Sequence, residues 1–576
     1  MSDKFGYVVL EVGGIQKYIL STGKLKEMIG GSELIESLSA KYLDDFAKSK
    51  QLTVLKEIRK PVDNEILPLQ RNAGAMHLLF PSEAKGREFL QNFGLKLLAD
   101  FPGLPIFGAL EECEFTSSGI REAKFKLSIK ITDQRNKYPT STGMQLLPIC
   151  AEAPLDGEPA IGKVCYGKNS SGEIISLSSK TKRNEELLKR SRERLREIEP
   201  DKDNKANLRW SDDLEEIACG SEKIAFIHID GNDLGIRFRQ ELENISDKET
   251  AEDKTGQQSS SEDRYQNAIN VIKTMSALSN TVKETTTAAF KKGLSECLKH
   301  TRSTDSKGEL LVPARPLVLG GDDVTVVIRA DLALYFIDAF VKEFERYSNQ
   351  ELGKKAPKDK LTVGVGMVVC PTGYPFLKAF DLSEELVKNS KELTALMGNR
   401  PSSMDDKELT ARMENRPSSM DYIVITNDTE NDIDSIRAHL FTAEDGSKLT
   451  AKPMLLSGNN LAQFVENGIS VLEKLPRSTL RNSLSVCRKG VKEALQNYTK
   501  LKDNIERGLG GRANQNQMGA TEFSELFKEG VETKGFFYKD KKDDKDFKTK
   551  LGDYIELNHL LPEELKDYKE YFEIKE

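Results

Sequence analysis

Two apolar runs, residues 316–319 and 324–328, are separated only by Gly320-Gly321-Asp322-Asp323. A connection that short turns the chain back on itself, so the runs are expected to pair as an antiparallel hairpin over 315–329. The glycines permit a tight turn and a close approach of ligand to backbone. Two adjacent carboxylates at the tip repel one another, and a divalent cation relieves that repulsion. Mg²⁺ suits the place, because it takes one or two carboxylates together with water and phosphate oxygens. The same four residues also make an ordinary solvated turn, so a second feature has to decide.

That feature is the apolar run 223–230, which ends on Asp230 and enters Gly231-Asn232-Asp233-Leu234-Gly235. A carboxylate at a strand end beside a carboxylate-bearing hairpin is what a two-metal phosphoryl-transfer site requires, with ions about 4 Å apart on the attacking and leaving oxygens. Asp230, Asp322 and Asp323 are therefore the candidate catalytic and metal-binding residues, with Mg²⁺ or Mn²⁺ as the expected cofactor. Gly231, Gly320 and Gly321 are the candidate nucleotide-binding turns. Asp233 either caps the following helix or joins the site. His228 alternates with the core side of its strand and reads as packed.

A chain of 576 residues is too long for one core. The order strand, helix, hairpin, helix, strand occurs twice, giving an α+β fold with two palm domains of ferredoxin-like plan. The first covers 1–115, with strands at 6–12 and 73–81 around a turn at 71–74, helices over 15–48 and 83–100, and an apolar stretch at 104–115. The second covers 221–430, with helices at 264–299 and 331–348 and a strand at 361–369. Between them, 116–220 mixes short strands with a charged helix at 183–198. Apolar residues recur at helical spacing beyond 455, giving a helical C-terminal domain over 440–576.

The formal net charge of −7 argues against a surface that binds nucleic acid everywhere. Any RNA contact would be local. Seven cysteines without a CxxC pair point away from a disulfide framework and toward a reducing compartment. No secretory leader and no apolar run of membrane length is visible, so a cytoplasmic protein without membrane partners is expected. No His-Asp dipeptide occurs. Residues 391–406 and 407–422 form a tandem repeat, KELTALMGNRPSSMDD and KELTARMENRPSSMDY. Two copies are too few for a solenoid and read as a duplication that lengthens a helix–loop connection. The segments at 245–263, 508–519 and 539–549 read as polar loops, and GLGGR at 508–512 lacks P-loop spacing.

GGDD at a hairpin tip together with DGNDLG at a strand end resembles the second palm domain of the type III CRISPR polymerase/cyclase large subunit, the Cas-ten family, especially its Cmr branch. EVGGIQKYILSTGKLKEMIGGSELI (11–35), LLPICAEAP (146–154), RPSSMDYIVI (416–425) and KLPRSTLRNSL (474–484) extend the resemblance along the chain. It implies a nucleotidyltransferase that converts ATP into cyclic oligonucleotide messengers of antiviral defence, with Asp230, Asp322 and Asp323 as metal carboxylates. It implies CRISPR effector subunits and guide or target RNA as partners; a non-catalytic scaffold subunit is the alternative.

The chain departs from the family in three places. No HD nuclease domain is recognisable in the sequence, so DNA cleavage is not expected. Only Cys150 stands at the zinc-ribbon position, with Ala153 where its partner would be and Cys165 and Cys219 isolated, so no zinc is expected. In the first domain Asn72-Ala73-Gly74-Ala75 replaces the acidic turn, and Val12 aligns with Asp230. That domain is expected to lack catalytic metal and to offer shape, with Gly30-Gly31-Ser32 either lining a second nucleotide pocket or breaking a helix.

Overall fold

The structure is a computed structural model describing residues 4–72, 74–138, 151–164, 172–200, 207–219, 221, 223–235, 261–301, 308–352, 361–396, 416–426, 432–507, 520–527, 533–539, 547–562 and 565–572. By contacts the chain divides into two compact units. One comprises Met1–Glu199, Asp233–Thr287 and Leu317–Asp323; the other comprises Pro200–Asn232, Ala288–Pro316 and Val324–Glu576. The segment 116–199 thus groups with the first sheet, and the C-terminal helices group with the second.

In the first unit, β1 (Lys4–Val12) is buried on both faces because helices cover both. It lies between β4 (Ala75–Phe80) and β5 (Ile106–Glu114), antiparallel to each, with β3 (Glu65–Asn72) and the short β2 (Thr53–Val54) beyond β4. The order β3-β4-β1-β5 is the ferredoxin-like one. After β1 the chain forms α1 (Ile15–Leu20), α2 (Leu25–Ser37) and α3 (Leu43–Ser49). Helix α4 (Glu83–Asp100) is capped by Ser82 and presses Gly86 toward Val8 and Leu110. Helix α5 (Ser117–Lys137) is capped by Thr116 and covers the other face. There Ile120, Leu127 and Ile131 pack with Phe5, Tyr7, Val9 and Phe107. Burial of such side chains contributes about 1.5–3 kcal/mol each.

A hairpin of β6 (Ala160–Val164) and β7 (Glu173–Ser176) leads into α6 (Leu177–Lys182) and α7 (Glu185–Glu197). Here the reading of Gly30-Gly31-Ser32 as a helix break fails, because the triplet lies inside α2. A Cβ on Gly30 would stand 1.7 Å from the Lys182 carbonyl oxygen, so the glycine exists to let α6 touch α2. Lys182 is buried there, donating from Nζ to the Tyr18 carbonyl and to Ser21 Oγ. Burial lowers its ammonium pKa to about 8.

In the second unit, β8 (Leu208–Trp210) and α8 (Leu214–Ala218) precede β9 (Lys223–Gly231). Helix α9 (Ser261–Lys299) leads to β10 (Leu310–Val312), which pairs with β8. The hairpin β11 (Ala314–Gly320) and β12 (Asp323–Arg329) is followed by α10 (Ala333–Leu352), β13 (Val363–Pro371) and α11 (Phe376–Leu396). The sheet continues through β14 (Ser419–Val424) to β15 (Met454–Leu455), in the order β11-β12-β9-β13-β14-β15. Its first four strands repeat the ferredoxin-like order. Gly366 on β13 admits α11: a Cβ there would lie 2.2 Å from the Ser383 carbonyl oxygen.

The C-terminal region is mainly helical, led by α12 (Ile433–Leu440), α13 (Asn460–Lys474), α14 (Arg477–Cys487) and α15 (Val491–Glu506). It also holds a three-stranded sheet of two- and three-residue strands between 533 and 548, which helical spacing did not announce. Cys150, Cys165, the loop at 508–519 and most of the 245–263 segment lie outside the described residues, as do 397–415 of the tandem repeat. Among the described residues no helix is long and apolar enough to cross a membrane.

Candidate active site

Asp230 is the penultimate residue of β9, and its side chain is 39% exposed. Strand alternation aims it, with Phe226 and His228, at the face covered by α11, where both rings meet Phe380 edge-on. Lys391, near the end of α11, reaches back to it. Its Nζ lies 2.5 Å from Asp230 Oδ2 and 2.7 Å from the Gly231 carbonyl oxygen. Gly364 gives the lysine room, since a Cβ there would stand 2.7 Å from Lys391 Cγ. Arg416 fastens the same helix end by donating to Thr394 Oγ1 and to the Lys391 carbonyl.

A cleft of about 400 Å³ opens beside Asp230, lined by His228, Glu384, Lys388, Lys391, Glu392 and Arg416 among others. His228 forms a buried wall. Its Nδ1 is 3.1 Å from Thr325 Oγ1, and burial lowers its pKa to about 4, so the ring is neutral near pH 7. It is the packed strand histidine that alternation indicated. The Glu384 carboxyl is raised above the usual carboxylate range, first by burial and then by Asp381 and Asp230. The cleft thus offers the ammonium groups of Lys388 and Lys391 on α11 together with the carboxyl groups of Asp230, Glu384 and Glu392.

The hairpin stands where the glycine pattern indicated. Val324 pairs with Ile229 and Thr325 with His228; Asp323 and Asp230 are the next residues along their strands. Gly321 takes the left-handed region at φ 61°, leaving the following turn position to Asp322. Within the first unit, Gln16 Nε2 donates to Asp323 Oδ2 at 2.6 Å, and Thr286 Oγ1 donates to the Gly321 carbonyl at 2.6 Å. Asp233 is left-handed as well, at φ 56°. Among the described residues no three His, Cys, Asp or Glu side chains are gathered closely enough to hold a metal ion.

The donors nevertheless suit a hard cation. They are carboxylates and a backbone carbonyl, the oxygen set that Mg²⁺ prefers. The Lys391 ammonium already sits on two of these oxygens, Asp230 Oδ2 and the Gly231 carbonyl. That edge of the sheet therefore accepts positive charge.

The first sheet corrects one alignment. Leu10 pairs with Met76 and Glu11 with Ala75. Matching the two hairpins sets Met76 on Val324, hence Leu10 on Ile229 and Glu11, not Val12, on Asp230. Glu11 is engaged as Asp230 is: Arg135, near the end of α5, donates to its Oε2 at 2.6 Å. A sequence comparison gapped one residue differently hides this, because only the ladder fixes which residues face each other.

Lys391, Arg416 and Gln16 were not singled out from the sequence. A lysine in the helical pattern of 376–396 reads as solvated surface, and nothing local ties it to a carboxylate 161 positions away.

Residues 223–396 match the family model described as Cas10/Cmr2, second palm domain. No curated relative matches the chain. Among solved structures it is similar to a chain of an apo Csm1-Csm4 cassette, at 13% identity over 69% of this chain and 53% of that one, with a TM-score of 0.40. It is also similar to a chain of the Csm1-Csm4 cassette in complex with cA3, at 13% identity over 97% and 69%, TM-score 0.45. A third is a Csm1-Csm4 subcomplex of the type III-A CRISPR-Csm interference complex, at 14% identity over 92% and 67%, TM-score 0.44. The chain spans about half the length of the first of these. The family model and the GGDD hairpin agree in identifying residues 223–396 as a second palm domain of the Cas10/Cmr2 kind.

Proposed function

We propose that this chain is the large subunit of a type III CRISPR-like defence system and acts as a metal-dependent nucleotidyltransferase, joining ATP or another nucleoside triphosphate into a cyclic oligonucleotide. The observation that carries the reading is the acidic strand end of a Cas10/Cmr2-type second palm, Asp230, set beside a cleft to which α11 brings Lys388 and Lys391. Asp230, Asp322 and Asp323 would hold Mg²⁺ or Mn²⁺, which neutralises charge developing on the phosphoryl oxygens. Lys391 is placed to exchange its carboxylate partner for a triphosphate oxygen, with Lys388 adding charge to the cleft. No role in the chemistry is assigned to His228, which packs beside Thr325 at the cleft wall. Solved chains of similar fold were crystallised with cA3 and with pppApA, which makes adenosine nucleotides the first to test. CRISPR effector subunits and guide or target RNA are the proposed partners, and the cytoplasm the proposed compartment.

The test is incubation with labelled ATP or GTP and Mg²⁺ or Mn²⁺, with and without a target-RNA-bearing effector complex, followed by product chromatography. Cyclic or linear oligonucleotides that vanish with EDTA are expected. Absence of any product under every condition would leave a scaffold subunit as the better reading.

A further inference from the structure

The geometry points to Gln16 as a positioning residue for Asp323, supported by Thr286 at the adjoining turn, so that the first domain presents the hairpin carboxylate to a divalent cation. The inference rests on the catalytic reading above and deepens it, because it gives the first domain, whose own turn lacks the acidic pair, a role at the site.

Three observations carry it. The hairpin tip, Leu317–Asp323, groups by contacts with the first compact unit, although Val324 and the rest of β12 group with the second. Gln16 follows β1 on α1 and spends its amide N–H on Asp323 Oδ2, 307 positions away, at 2.6 Å. A carboxylate only accepts, so the amide must be the donor, and a bond to an ionised acceptor is among the stronger ones. Thr286 on α9 is 2% exposed and donates to the Gly321 carbonyl, the peptide just before Asp322. Its hydroxyl therefore anchors the turn from a buried, fixed position.

Physically, a carboxylate at a two-residue turn has freedom at the turn and at both of its side-chain torsions. A donor held on another element removes the side-chain freedom, and an anchored turn removes the backbone freedom. Outer partners of this kind orient metal ligands, and losing one costs metal affinity without removing a ligand. Gln16 would not touch the ion. It fixes which oxygen of Asp323 is turned toward it.

The experiment uses the full-length chain and Mn²⁺ alone, read by electron paramagnetic resonance titration, beside melting curves in EDTA and product assays across a Mg²⁺ series. Gln16→Met keeps the length and volume of the side chain and removes the donor; Thr286→Val does the same for the hydroxyl. Each is expected to weaken Mn²⁺ binding by about tenfold. Each should also raise the Mg²⁺ concentration for half-maximal turnover in step, with turnover at saturating metal largely restored and melting in EDTA little changed. Gln16→Met with wild-type Mn²⁺ affinity overturns the proposal, and so does a lowered melting temperature with unchanged affinity. Failure of the wild-type chain to bind Mn²⁺ or form product overturns the underlying catalytic reading as well, a pattern distinct from either.

Discussion

The first and second sheets carry the same device at two stages of completion. In the first, Glu11 is the penultimate residue of the leading strand and is held by Arg135 from the helix after the fourth strand of the repeat. In the second, Asp230 occupies the matching rung and is held by Lys391 from the matching helix. The acid and its helical cation thus accompany the fold in both places. What differs is the hairpin. Asn72 and Ala75 stand in the first where Gly320 and Asp323 stand in the second. The two turns also place their left-handed residue differently. In the first hairpin the left-handed residue is Gly74, at φ 77°, and a Cβ on it would lie 2.5 Å from Ile15 Cδ1. In the second hairpin the left-handed residue is Gly321, and a Cβ on it would meet nothing within 4 Å. Chemistry is expected only where the turn carries the carboxylates, and the Glu11–Arg135 pair is a partly exposed ion pair worth at most about 1 kcal/mol.

The sharpest way to break this contrast is to empty the second hairpin. Asp322→Ala with Asp323→Ala should abolish metal-dependent product formation, a loss of at least about a thousandfold. Its melting temperature in EDTA should be unchanged or slightly raised, because two repelling carboxylates are gone. Full product formation by the double variant would remove the catalytic assignment, and severe unfolding would make the turn structural.

The helical cations separate the sheets next. Lys391→Ala should cost about a hundredfold in turnover if the ammonium passes to the triphosphate. Arg135→Ala should change turnover less than about twofold and stability by less than about 1 kcal/mol. Equal effects from the two changes would mean that both sheets, or neither, take part in the chemistry.

Helix seating gives a smaller and more structural contrast. Gly366→Ala drives a methyl toward the Ser383 carbonyl and lifts α11, which carries Lys391. Gly6→Ala drives one toward the Ser82 carbonyl, 2.5 Å away, at the start of α4. Both should lose about 1–3 kcal/mol by thermal or denaturant unfolding. Below the melting transition only Gly366→Ala should also lose turnover, and comparable turnover in the two folded variants would dissociate α11 from the site.

The smallest effect is expected from deleting residues 397–412, one copy of the tandem repeat. The deletion keeps Lys391 on α11 and Arg416 before β14, and rejoins Leu396 to a second copy with the same sequence pattern. Melting temperature and turnover should stay near wild type. Collapse of either would show that the added length does more than bridge helix and strand.

The sequence by itself determined the hairpin, the β9 strand end, the repeated ferredoxin-like order and the bounds of α4, because these rest on short-range pattern: apolar runs, turn glycines and capping. It lost α5. The core stripe of Ile120, Ala123, Leu127 and Ile131 is blurred by Phe125 and Ile129, which are 66% and 54% exposed on the outer side. It lost β3 because Pro68 and the polar Gln70-Arg71-Asn72 end obscure its alternation. Only the tertiary structure decided that Glu11 matches Asp230, that Gly30 is a contact with the Lys182 carbonyl, that Lys391 reaches Asp230 from a helix end fastened by Arg416, and that Gln16 reaches Asp323. Strand register and helix seating are set by the fit of segments far apart in the chain, and no local spacing records which distant backbone will lie against a glycine or which side chain will reach an aspartate.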